Sequence, residues 1–489
     1  MEEICIDGNS LSFEDVLRVA GGGVKVSLSP SSRERLLRSR QALESAAKKR
    51  AVYGFNTGLG KLAHVVLRPS ELRQFQLNII RSHAVGCGEP ITPEETRAVV
   101  LLRANALAKG HSGIRPEVVE FLLEMLNRDL LPVIPSLGSV GASGDLAPLA
   151  HMALALIGEG EVIVSGGRRV SSTIAFKERG MEPLTLEARE ALALINGTQF
   201  TAGLLAVLLS EAERLLDAAD VVGALTFWAT GTRPDQFHPD VMKLRPHPGQ
   251  VASGEKIFEL TRDLQPGPDV QDPYSLRCMP QVHGAARDGI AFVKGILSVE
   301  INSATDNPLV VGDNVYSCGN FHAQHLALGG DIVSICLATL ASVSERRTFL
   351  LLSGRGGLPL FLSENPGLQS GLMLLQTAQA SLVSLSKTLS HPASVDSIPT
   401  SGGQEDMVPM SANAVLKARE IARNAWRVLA GEMLAAAEAL RLSGKKPKGR
   451  LSELYEKYLE DVRPGTGDRF LVPELERAER FLREWAYKA

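Results

Sequence analysis

Apolar residues recur along most of the chain at spacings of three and four, the period of one face of a helix. Ser29-Pro30 places a capping residue before a proline at the first helical position, and SSRERLLRSRQALESAAKK follows. Thr92 and Glu95 make a capping box for a helix that runs through TRAVVLLRANALA toward Gly110, and Pro116 opens another with EVVEFLLEMLNRDL. From 186 to about 230 there are few breakers, which predicts one rod of bundle length. Similar patterns cover 288–303, 326–352, 371–389 and 412–442. A shorter helix at 451–458 follows a basic, breaker-rich connector at 443–450. Strand-like runs are brief: 24–28, Glu161–Val164, and 309–316 around Gly312-Asp313-Asn314. They predict small hairpins on a mainly α body.

Composition narrows this picture. A hydrophobic fraction of 44% and a charged fraction of 22% are globular values, and only 5% aromatics implies a core of Leu, Ala and Val. At 489 residues, length alone would allow roughly three domain-sized units. Lys+Arg 52 against Asp+Glu 55 leaves a net charge of −3, which argues against a nucleic-acid surface as the main business. Five scattered cysteines with no CxxC pair argue against zinc knuckles and disulfides and fit a reducing cytoplasm. The start, Met1-Glu2-Glu3, has no signal pattern, and the apolar stretch 332–343 is too short to span a bilayer. The expectation is a soluble cytoplasmic protein with no membrane or nucleic-acid partner. His322 and His325 are three apart and could share a helix face, but no third ligand stands by, so no metal is expected.

The densest cluster of small residues, GSVGASGDLAP at 138–148, lies between an extended LPVIPS and the apolar helix LAHMALALIG. Its spacing is GxxGxxG and no Lys follows Gly144, so it is neither a P-loop nor a dinucleotide fingerprint, and GASGD is not a nucleophile elbow. One reading is a tight turn with Asp145 capping the next helix. In the other, the unhindered Gly144 nitrogen attacks the Ala142 carbonyl. Loss of water from that ring and from the Ser143 side chain then leaves 4-methylidene-imidazol-5-one (MIO), an electrophile made from backbone.

GSVGASGDLAPLAH at 138–151 closely resembles the signature of the aromatic amino acid ammonia-lyases, which carry that group. The likeness continues in order through VYGFNTGLG at 52–60, INGTQ at 195–199, VQDPYSLRC at 270–278, SATDNP at 303–308, GNFHA at 319–323 and HPASVDSIPTSGGQED at 391–406. The resemblance implies a long-helix bundle of the fumarase/aspartase-like type, with an N-terminal α-rich active-site domain at 1–190 and a bundle with C-terminal helices at 191–489. It also implies MIO from Ala142, Ser143 and Gly144 with no external cofactor, an amino acid substrate, and a homotetramer whose sites are shared between chains.

Site roles follow from the same resemblance. Tyr53, in a glycine-flanked loop suited to a lid, would remove the substrate β-hydrogen, and a tyrosine must be activated to do so near neutral pH. Asn196 and Tyr274 would hydrogen-bond the prosthetic ring, with Gln271 nearby and Phe321 packed beside it. Arg277, three residues from Tyr274 and so on its helix face, would hold the substrate carboxylate. Ser82-His83 and Glu405 look like the side-chain pocket of histidine-type members, which implies elimination of ammonia from L-histidine to give trans-urocanate. The alternatives are elimination from tyrosine or phenylalanine, a 2,3-aminomutase and, remotely, an inactive helical scaffold. Four departures from the histidine-type pattern fall near the pocket motifs: Met279, Gln324, Met407 and the pair Gly402-Gly403.

Overall fold

A computed structural model describes residues 3–462 and 465–488. The chain divides into two units. The first joins Met1–Leu208, Lys294–Asp331 and Pro392–Leu416, and the second joins Leu209–Val293, Ile332–His391 and Lys417–Ala489. The first therefore runs past residue 190 and takes in two later segments. Four helices carry the chain from one unit into the other: Gln199–Thr230, Met279–Glu300, Gln324–Leu352 and Ser411–Ser443. The fold is mainly α with few, short strands, as the periodicity implies.

The rod expected from 186 to 230 is broken. Helices at Glu190–Ile195 and Gln199–Thr230 flank an interruption at 196–198, where Asn196 leaves the helical region at φ −88° and ψ 91°. Apolar periodicity persists on both sides, so the pattern could not reveal the break. The helix face shared by Tyr274 and Arg277 is short, and Pro280 does not end it. Instead Tyr274–Arg277 forms one turn, and Pro280 lies in the first turn of Met279–Glu300, where a missing N–H costs no hydrogen bond.

The strands of the first unit are partly the expected hairpins. Leu309–Val311 pairs with Asn314–Tyr316, and Glu161–Val164 pairs with Arg168–Ser171 and with Leu131–Pro132, all antiparallel. The run at 24–28 is different. Lys25–Leu28 pairs in parallel with Glu3–Ile6, whose Ile4 and Ile6 face inward while Glu3 and Cys5 face out. A parallel pair needs a crossover, supplied by the helix Phe13–Ala20 under a Ser12/Asp15 capping box.

Two helical stretches, Glu190–Thr230 and Gln324–Leu352, are long and apolar enough to cross a membrane. The second contains the stretch 332–343 that had looked too short. Their most apolar windows are 94% and 61% buried inside the protein, and the second helix carries buried Asp331, Glu345 and Arg347. Those are the marks of core helices.

The core of the second unit holds a buried ionic network. Arg347 forks onto Glu432 through Nε and Nη2 at 2.6 and 2.8 Å, and Thr226 and Ser344 donate to the same carboxylate at 2.8 and 2.6 Å. Fully buried His283 meets Asp220 at 2.7 Å, and Arg287 donates to Asp220 at 2.6 Å. Every lone pair so occupied offsets the cost of taking charge out of water. Removing one partner strands the other. Arg347→Met is therefore expected to destabilise the fold by about 3–5 kcal/mol. Chemical unfolding of the variant checks this, and a loss below about 1 kcal/mol would count against the network as a stabilising element.

Candidate active site

The tripeptide Ala142-Ser143-Gly144 sits where two glycine-bearing turns meet. Gly144 has φ +67°, and a Cβ there would overlap the backbone of Gly197. The contact is sealed by the Asp145 amide, which donates to the Gly197 carbonyl at 2.7 Å. Ala142 and Gly144 pair as an isolated bridge on either side of Ser143. The helix break at 196–198 delivers Asn196, whose Nδ2 donates to the Ser143 carbonyl at 3.1 Å.

Asp145 occupies the N-cap position of the helix Leu146–Leu156 but does not cap it with its side chain. The buried carboxylate instead accepts from Ser139 at 2.6 Å and from the Thr201 amide and hydroxyl at 2.9 Å each. Burial pushes its pKa up, and these donors only partly oppose that. It ties the turn before Ser143 to the start of the long helix.

Around Ser143 opens a cavity of about 1060 Å³, lined by residues of the first unit alone. Tyr53 enters from the glycine-flanked loop, and its Oη accepts the Gly60 amide at 3.0 Å. Ser82 and His83 end the helix Leu72–His83, with the His83 Nδ1 within 2.8 Å of the Ile79 carbonyl and 3.0 Å of the Ser82 hydroxyl. Phe321 and Met407 also line the wall.

Glu405 rides a tight turn. The Thr400 amide donates to the Glu405 carbonyl at 3.0 Å, and Gly402 and Gly403 take φ of +65° and +83° to close it. Its carboxylate accepts from Ser143 and Thr400 hydroxyls and from Ser401 at 2.7 Å. Burial alone would raise its pKa. The three hydroxyl donors, with the charge of His83, outweigh that and hold it below the usual carboxylate value, so it is ionised at neutral pH.

Behind Asn196 lies Arg103, fully buried. Nη1 donates to the Asn196 carbonyl at 3.2 Å and to the Gln199 side chain, while Nε and Nη2 have no partner. Burial pulls its pKa down to about 10; the charge of Asp306 opposes the fall and that of Arg189 adds to it. Arg103 escaped sequence reading because RANALA looks like ordinary amphipathic helix. So did Thr400 and Ser401, since hydroxyls in a turn carry no signal of their own.

Residues 11–464 match the aromatic amino acid lyase family. The chain is 48% identical to the histidine ammonia-lyase of Myxococcus xanthus over 98% of its length and 96% of that protein. The chain belongs to the aromatic amino acid lyase family. Among solved structures, histidine ammonia-lyase from Trypanosoma cruzi superposes with a TM-score of 0.91 at 36% identity, covering 99% of this chain and 94% of that one. Tyrosine aminomutase from Streptomyces globisporus superposes with a TM-score of 0.94 at 35% identity, covering 99% and 98%.

Of the twelve residues singled out for this lyase chemistry, eight line the cavity: Tyr53, Ser82, His83, Ala142, Ser143, Asn196, Phe321 and Glu405. Gly144 completes the tripeptide. Gln271, Tyr274 and Arg277 do not line it. They belong to the second unit, where Tyr274 is 72% exposed and the Arg277 guanidinium lies 4.9 Å above its ring. Among the departures from the histidine-type pattern, only Met407 lines the cavity. Met279 is buried in the second unit, and Gln324 donates to the Ser394 carbonyl at 3.2 Å.

The turn that carries Asn196 leaves no room for a side chain at Gly197. A Cβ there would overlap Arg103 Nη1 and the Gln199 Oε1 and lie 2.8 Å from the Thr305 carbonyl. Gly197→Ala is expected to cost about 1–3 kcal/mol of stability through overpacking. Thermal unfolding against the parent protein measures it, and an unchanged midpoint would show that the turn has slack.

Proposed function

We propose that the chain is a histidine ammonia-lyase, a carbon–nitrogen lyase that removes ammonia from L-histidine without oxidation to leave trans-urocanate. Its five free cysteines suit work in the reducing cytoplasm. The observation that carries this reading is a single cavity holding His83 and an ionised Glu405 beside Ser143.

Ala142, Ser143 and Gly144 fit the self-made prosthetic group. Gly144 has no Cβ to obstruct its nitrogen and no space for one, and Asn196 already grips the Ser143 carbonyl. Matured by loss of two waters, MIO would supply an electrophilic methylidene for the substrate amine.

The chain's own residues do the rest. Tyr53 takes the β-hydrogen as base, and the Gly60 N–H aimed at its Oη stabilises that oxygen as it carries negative charge. Maturation removes the Ser143 hydroxyl, which occupies Oε1 of Glu405. That oxygen is then free to accept an imidazole N–H from substrate, with His83 available to the other ring nitrogen. A phenylalanine ring would leave Oε1 of the half-buried carboxylate without a donor, which disfavours it. Asn196 holds the ring carbonyl and Phe321 packs alongside.

Carboxylate recognition falls to Arg277, with Tyr274 and Gln271, from neighbouring copies in a homotetramer whose sites each draw on three chains. Their absence from the cavity lining of the single chain supports this. Exposed apolar side chains such as Phe292, Ile335 and Phe349 on the long helices would be covered in such an assembly.

A second reading is a 2,3-aminomutase, favoured by the likeness to the tyrosine aminomutase. Proton NMR of the products separates the two, because a mutase leaves a β-amino acid.

Intact mass of the purified enzyme is expected to fall short of the sequence mass by two waters, and Ser143→Ala should keep one or both and lose turnover. Full activity in that variant would overturn the electrophile assignment. Glu405→Gln should lower kcat/KM for L-histidine by about 10²-fold or more, in line with losing a charge-assisted contact, while any turnover of L-phenylalanine falls less. An equal fall on both would make Glu405 structural. Shared sites predict that Tyr53→Phe and Arg277→Ala, each inactive alone, regain activity when co-expressed in mixed tetramers. No recovery would place Arg277 in the same chain's site.

A further inference from the structure

A groove of about 960 Å³ in the first unit shares no lining residue with the cavity at Ser143. One wall is a face of the helix Pro30–Lys49; the others are the turn at 109–111 and the hairpin turn Gly312-Asp313-Asn314. Arg35, Arg38, Lys49, Arg50 and Lys109 line it against Asp313 alone. Five cations against one carboxylate leave four positive charges in a chain whose overall balance is −3.

Most of these cations spend their donors on neutral carbonyls, so the charge is not cancelled. Arg35 donates to the Lys109 carbonyl at 3.3 Å and to the Asp7 carbonyl at 2.6 Å. Lys109 donates to the carbonyls of Gly8 and Asn302 at 3.2 and 2.9 Å, and Arg50 to that of Val315 at 3.0 Å. Among the described residues, no carboxylate lies within ion-pairing distance of Arg35, Lys49, Arg50 or Lys109. Arg38 meets only Glu34, 3.6 Å away with both exposed, a pair that water screens. Burial first, then the nearby Arg35 charge, holds the Lys109 ammonium below the usual lysine value, against the pull of Asp7. The cluster is like-charged. Ala42, Ala46 and Val310 add small apolar side chains to the lining.

We propose that this groove binds a chain of phosphates several units long, as carried by a nucleoside triphosphate or an inorganic oligophosphate. Arg38 and Arg50 keep most of their guanidinium donors free, and such planar forks take phosphate oxygens in pairs, while Arg35 and Lys109 add positive charge with their donors already engaged. From Arg35 to Lys49 the helix rises about 21 Å, so the charges are spread for an extended anion rather than one small ion. The site stands apart from the lyase reading, and its test does not depend on activity.

Calorimetric titration of the full-length enzyme at low salt, using inorganic triphosphate, ATP, inorganic phosphate and triglutamate, tests it. Triphosphate should bind with an affinity that falls as salt rises, and inorganic phosphate at least about tenfold more weakly. ATP tighter than triphosphate assigns the site to nucleotides; equal affinity assigns it to oligophosphate. Triglutamate binding as well as triphosphate would make the groove an acidic-peptide surface and overturn the proposal, as would no triphosphate binding at all. The double variant Arg38→Glu, Lys49→Glu changes two exposed side chains. It should weaken triphosphate by about tenfold or more while turnover of L-histidine is unchanged. Unchanged affinity would show that the anion binds elsewhere.

Discussion

The contact on which the site depends is the approach of Gly144 to the backbone of Gly197, closer than any Cβ would permit. It ties together two segments that lie 53 residues apart along the chain, as does the Asn196 amide on the Ser143 carbonyl. For Gly197 to be there, the helix must stop at Ile195 and restart at Gln199. That interruption leaves backbone groups in need of partners. Arg103 takes the Asn196 carbonyl, the Asp145 amide takes that of Gly197, and the Asp145 carboxylate takes the Thr201 amide. The fold thus spends its buried polar residues on holding open a break that pure helix propensity would close.

The carboxylates around Ser143 are set apart by depth as much as by their donors. Asp145 and Glu300 are both pushed up by burial, even with hydroxyl partners. Glu405 is half-buried and collects three hydroxyls and the charge of His83, which is enough to reverse the sign. Acids with opposite shifts in one neighbourhood divide their roles. Asp145 braces the backbone, and Glu405 presents negative charge to the cavity.

Much of this was legible in the sequence because the signals are local. Capping residues and prolines marked helix starts at Pro30, Pro93 and Pro116, and the structure begins helices at all three. The Tyr53 loop and the tripeptide turn were legible as glycine patterns. What stayed hidden is non-local. Within residues 190–200 the local sign of a break is the pair Asn196-Gly197, and what it is for shows only in its contacts with Gly144 and Arg103. The parallel pairing of Glu3–Ile6 with Lys25–Leu28 was missed because a four-residue strand carries only two inward positions. Arg103 and the hydroxyls on Glu405 gain meaning only from what they touch.

The placement of Arg277 carries the last step. A cavity meant for an amino acid needs a cation for the carboxylate, and the first unit lines its own with Lys61, His83 and His322 but no arginine. Lys61 is exposed on the Tyr53 loop, where its stem lies against Gly402, and His83 and His322 each hydrogen-bond a backbone carbonyl. None offers the planar fork that fixes a carboxylate in one orientation. The second unit carries that fork at Arg277, stacked on an exposed Tyr274 with its Nε buried and unpartnered. A buried donor without an acceptor is costly in an isolated chain. In the assembly proposed above, the substrate carboxylate bound by a neighbouring copy would supply that acceptor, and the same contact would relieve the cost.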